Sequence, residues 1–148
     1  MKKLTIAIFL LWIPFCPAHA SENLCGPVYV GERDITKAMG TEVHLIQNAL
    51  FSGIEQYTLD GQIYYGVAGR YDQPRNGKTL VVFIISCKKG RLVQDAKFEF
   101  YGDSLDFLRY QEKSKRLYVV FKDETELFGW IKRVGSNFEF EMFEDPEL

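Results

Sequence analysis

The stretch Thr79–Ser86, reading TLVVFIIS, restricts this chain's fold more than any other feature. It is apolar at odd and even positions alike, so a strand built from it must be covered on both faces. The surrounding sequence supplies the covering strands. Asp60-Gly61 separates Ile54–Leu59 from Gln62–Tyr71, a two-residue hairpin signal because both turn positions call for positive φ. Gln73–Lys78 reads as a loop, and Lys88-Lys89-Gly90 as a turn into Leu92–Tyr101. There Phe98 and Phe100 alternate with Lys97 and Glu99.

After Gly102-Asp103-Ser104, a short strand is expected around Phe107–Tyr110. Three more follow at Arg116–Lys122, Thr125–Arg133 and Asn137–Phe143, with turns near Asp123-Glu124 and Gly135-Ser136. Short strands joined by tight turns predict an antiparallel meander in an α+β, mainly β chain. It would form a curved sheet, a sandwich or a small barrel.

One helix precedes the strands. Asp34 is placed to cap it, and Ile35, Met39, Val43, Ile46 and Leu50 recur at three- and four-residue steps as one apolar stripe. Ser52-Gly53 supplies a stop. Gly40, inside the stripe, costs about 1 kcal/mol of propensity relative to Ala. This N-terminal amphipathic helix is expected to cover an open sheet face or plug an end.

The first twenty residues read as an export signal. Lys2 and Lys3 precede an apolar run from Leu4 to Phe15, and Ala18-His19-Ala20 has the small-x-small pattern of a cleavage site before Ser21. The run is too short to span a bilayer, which takes roughly 20 residues. Neither Cys16 nor Cys25 is preceded by the small residue a lipid-anchor motif wants. The expected product is a periplasmic or secreted domain of residues 21–148, without a membrane span. Losing Lys2 and Lys3 takes the formal charge from −2 to about −4. A mildly acidic chain lacks the basic footprint of a nucleic-acid binder.

Cleavage also leaves Cys25 and Cys87, which in an oxidising compartment are expected to pair. The loop of about 60 residues they would close is worth roughly 4 kcal/mol on the chain-entropy model.

Catalytic signatures are missing from the sequence. His44 is the one histidine beyond the signal, expected as a partly exposed helix residue. Neither a GxSxG elbow nor an HExxH pair is present. A zinc site of several histidines is excluded, and no cofactor is implied. Glu139 and Glu141 alternate with Phe138, Phe140 and Met142, which makes them the solvent face of a strand rather than a catalytic pair. Gly66, Gly69 and Gly129 sit inside strand-like segments, where glycine marks a bulge or the close approach of a neighbour.

The chain holds 12 Phe and 8 Tyr, and tyrosine beside arginine is typical of recognition surfaces. Arg70, Tyr71, Asp72, Gln73, Arg75 and Asn76, stiffened by Pro74, form the longest polar loop and the first choice for a partner-binding site. In size, address and composition the chain resembles small periplasmic inhibitors and immunity proteins, without the short motifs of the lysozyme-inhibitor families. The expected function is protein binding, directed at a cell-wall hydrolase or toxin. A carrier with an apolar ligand in a barrel and a structural subunit of an envelope assembly are the alternatives.

Overall fold

Three two-residue hairpins organise the first half of the chain. The computed structural model describes residues 31–47, 53–122 and 126–143. Asp60-Gly61, Asn76-Gly77 and Lys89-Gly90 each take positive φ at both positions, between 51° and 80°. This backbone matches the right-handed twist of the flanking strands. The turns join β2 (Ile54–Leu59), β3 (Gln62–Arg75), β4 (Lys78–Lys88) and β5 (Arg91–Phe100) into an antiparallel sheet. β1 (Val43–Leu45) pairs with Gly69–Tyr71 of β3, in line with β2 along the same edge. A second antiparallel sheet runs β6 (Ser104–Gln111), β7 (Arg116–Lys122), β8 (Glu126–Val134) and β9 (Asn137–Phe143) in sequence order.

The two sheets face one another across an apolar core. Tyr57, Tyr64, Ala68, Leu80, Val82, Ile84 and Phe100 from the first meet Leu105, Leu108, Leu117, Val119, Phe121 and Ile131 from the second. Phe100 lies 4.8 Å from both Phe121 and Phe140, centroid to centroid, and Tyr57 stacks on Tyr110 at 4.3 Å. The opposite face of the first sheet is covered by α1 (Glu32–Met39), with Ile35, Met39 and Val43 against Tyr65, Val67, Val81, Phe83 and Ile85. β4 therefore lies between two apolar layers, and Leu80 through Ile85 are all at most 1% exposed. Its double-faced sequence has the environment it demands.

Three sequence expectations need correction. The helix ends at Met39 instead of running to Leu50, and it begins behind Gly31, with Asp34 in its first turn rather than at the cap. Gly40 adopts φ 95°, which terminates the helix, and Val43–Leu45 then gain more by pairing with β3. The apolar stripe is real in burial, since Ile35, Met39 and Val43 share one cluster, but it bridges a helix and a strand. His44 consequently lies on β1.

The second correction concerns Gln73–Lys78. Strand pairing continues to Arg75↔Lys78, and only Asn76-Gly77 turns the chain. Pro74 is tolerated because the ladder is already broken between Arg70 and Arg75, where no donor is needed. Third, β6 occupies Ser104–Gln111, longer than the expected Phe107–Tyr110. The export signal, Cys16, Cys25, Leu50 and the Asp123-Glu124 turn lie outside the described residues. Among the described residues no helix is long and apolar enough to cross a membrane.

Candidate functional site

The β3–β4 hairpin carries the residues singled out from sequence, and period-two alternation divides them. Arg70 and Tyr71 point to opposite faces. Arg70 is exposed and borders a groove with His44, Ser104 and Asp106. Tyr71 is only 5% exposed and belongs to the cluster under α1. It is a buried anchor rather than an open contact residue. Asp72, Gln73, Pro74, Arg75 and Asn76 beyond it are all exposed.

Side-chain contacts brace this tip from both sides. Two cations approach the Tyr71 ring, with Arg75 Cζ at 5.4 Å and Lys97 Nζ at 5.2 Å from its centroid. Each such contact is worth about 0.5–1 kcal/mol at an exposed site. The Tyr71 hydroxyl donates to the Glu99 carboxylate, which also pairs with Lys97 at 2.7 Å. Arg75 additionally donates to Glu42, and His44 pairs with Asp72. The Asp72 backbone N–H reaches the Glu42 carbonyl at 3.2 Å. On the β4 side, Lys78 lies over the Tyr101 ring at 5.8 Å, and the Thr79 hydroxyl donates to the Gly102 carbonyl.

This network shifts its members' proton affinities. Hydrogen bonds from Lys97 and then from Tyr71 hold the Glu99 carboxyl below the ordinary carboxylate value. Burial pushes the Tyr71 phenol up, and its bond to Glu99 adds to the effect. Burial works against the Lys97 ammonium, but its bonds to Glu99 and Tyr71 outweigh that and raise it.

A groove of about 370 Å³ opens beside the tip, with Thr41, Glu42, Tyr71, Pro74 and Arg75 among its walls. Its charged side chains, Glu42, Asp72 and Arg75, are paired, and Thr41 and Gln73 add neutral polar groups. His44 contacts Asp72, and among the described residues no hydroxyl or thiol is bonded to its ring.

Sequence reasoning missed Glu42, Lys97 and Glu99 as members of this site. The alternation of Lys97 and Glu99 with Phe98 and Phe100 placed them on the outer face of β5. Only the register Val81↔Glu99 and Val82↔Phe98 brings that face near the hairpin. Glu42 carried no local signal. Cys87, the last residue but one of β4, is half-buried beside the cluster under α1 and is disulfide-bonded.

The chain matches no protein-family model, no curated protein and no solved structure.

Proposed function

We propose that this is an exported protein-binding module, an inhibitor or immunity protein, and that the tip of the β3–β4 hairpin is its contact element. The observation that carries the reading is the contrast within six residues. Tyr71 is anchored in the core, while Asp72–Asn76 project into solvent and are tied back by Glu42 and His44. A tip ordered before binding loses little conformational entropy on docking, which is what a tight protein ligand requires. Arg70, on the other face, belongs to the rim.

The mature chain's charge of about −4 suits a basic cell-wall hydrolase or toxin as target. The signal-like residues 1–20 place the encounter in the periplasm or outside the cell, and Cys25 is the natural partner for Cys87. No catalytic role is assigned to the chain. The carrier alternative gains no support, because Phe100, Phe121 and Phe140 fill the inter-sheet space where an apolar ligand would sit.

A panel of purified cell-wall hydrolases and toxins, assayed with increasing amounts of the protein, tests the reading. Stoichiometric inhibition of one member is expected. Undiminished activity across the panel, together with a protein that remains monomeric and copurifies with an apolar compound, would transfer the assignment to a carrier.

A further inference from the structure

We propose that the outer face of the second sheet is a docking surface for an acidic polypeptide segment that also presents an apolar side chain. This is independent of the hairpin's role, because the two surfaces lie on different sheets. The inward positions of β6 and β7 are Leu105, Leu108, Leu117, Val119 and Phe121, all buried. Register then turns Phe107, Arg109 and Gln111 of β6 outward, beside Val120, Tyr118 and Arg116 of β7. A solvated sheet face normally carries polar side chains at such positions. Here Phe107 is 40% exposed and, with Tyr118 and Arg109, frames a mainly apolar groove of about 270 Å³.

Charge decides what the groove fits. Arg109 is exposed and makes no ion pair among the described residues. Arg116, half-buried, has its guanidinium carbon 4.2 Å from the Trp130 ring centroid, beside Gln111 of β6 in register. Of the acids near this face, Asp106 at the β6 bulge accepts the Ser104 hydroxyl, Glu126 of β8 lies opposite Lys122 in register, and Glu139 and Glu141 stand on β9, three strand spacings or about 14 Å from β6. Glu141 is already occupied. It accepts Trp130 Nε1–H at 2.6 Å and pairs with Lys132, with Arg116 a more distant influence.

The β6–β7 half of the face is therefore cationic and apolar on a chain whose formal charge is negative. A segment with carboxylates to meet Arg109 and Arg116, and one apolar side chain for the groove, complements it. An anionic membrane fits less well. Tyr118 and Trp130 are half-buried rather than protruding, so the face offers no aromatic anchors to insert among lipid headgroups.

The probe is a synthetic peptide, acetyl-Glu-Asp-Phe-Glu-Asp-amide, titrated into the isotopically labelled protein, with the same peptide carrying lysines in place of its acids as control. Saturable NMR shifts are expected across residues 107–118 and at the Trp130 indole N–H, weakening as salt is added. Arg109→Glu should lower the affinity about tenfold or more, and Phe107→Ser should lower it with unchanged salt dependence. Both positions are exposed, and an unchanged Tm confirms that the variants fold. Three results would each overturn the proposal: no saturable shift at millimolar peptide, equal binding of the lysine peptide, or cosedimentation with phosphatidylglycerol vesicles in place of peptide binding.

Discussion

The carboxylate of Glu55, on β2 of the first sheet, accepts the backbone N–H of Tyr110, on β6 of the second, at 3.0 Å. A side chain of one sheet thus satisfies a backbone donor on the edge strand of the other. The Tyr57–Tyr110 stack lies at the same seam. An open edge is where strands from other molecules pair, so the contact both joins the sheets and protects the edge.

Replacing Glu55 by Ala leaves the Tyr110 N–H without its acceptor in a partly buried place. The expected loss is about 1–3 kcal/mol. Denaturant unfolding measures it, and native-state hydrogen exchange should show Tyr110 opening well ahead of Val119. Equal protection of the two amides in the variant would mean the seam does not depend on this bond.

Glycines inside the strands rank by what a methyl group would meet. At Gly129 an added Cβ would fall 2.2 Å from Phe140 Cζ and 2.9 Å from the Glu141 carbonyl oxygen. At Gly66 it would fall 2.6 Å from the end of the Leu117 side chain. A leucine terminus can swing aside, whereas ring and backbone cannot both give way. Gly129→Ala is therefore expected to cost more than Gly66→Ala, with about 1–3 kcal/mol typical of overpacking. Thermal melts of the two variants check the order.

Tyr71 contributes a buried ring and a hydroxyl that can be separated. Tyr71→Ala should cost about 3–5 kcal/mol, as for other large aromatic truncations in a core. Tyr71→Phe keeps the ring beside Arg75 and Lys97 and should cost about 1 kcal/mol. The alanine variant is a poor probe of partner binding for that reason. Arg75 and Asn76, exposed at the tip, are better ones.

The Glu99 network makes stability depend on acid. Its carboxyl is held below the ordinary value of about 4.3, so the folded state favours the ionised form. That contribution is complete above the unfolded value and disappears as pH falls through the folded one. The stability gap between wild type and Glu99→Gln should be flat around neutrality and close below about pH 4. Lys97, raised in the folded state, contributes in the opposite sense and loses its share only in strong alkali. A gap that widens on acidification would mean the carboxylate is not stabilised in the fold.

Turn chemistry and double-faced apolarity were the legible parts of the sequence. Asp60-Gly61 and TLVVFIIS specify a hairpin and a central strand by local rules, and each took its expected form. Periodicity failed where two elements share one buried cluster. Ile35, Met39 and Val43 keep helical spacing across a helix end, and only the Gly40 backbone reveals the break. At the hairpin tip, Asn76-Gly77 carried the same signal as Asp60-Gly61, but Pro74 disguised the strand before it. The braces come from two other places in the chain, Glu42 just before β1 and Lys97 and Glu99 on β5. Register, not local pattern, assembles them.

The most direct test of the hairpin's role is affinity capture from native envelope extract, using immobilised wild type and an Arg75→Glu, Asn76→Gly tip variant side by side. The changes leave the Tyr71 ring in the core and a glycine suits the positive φ at position 76, while the Arg75 contacts to the Tyr71 ring and to Glu42 are lost. The account predicts one stoichiometric protein on the wild-type resin that is lost from the variant, with the variant folded and cooperative in a thermal melt. A partner retained equally by the tip variant would contradict it.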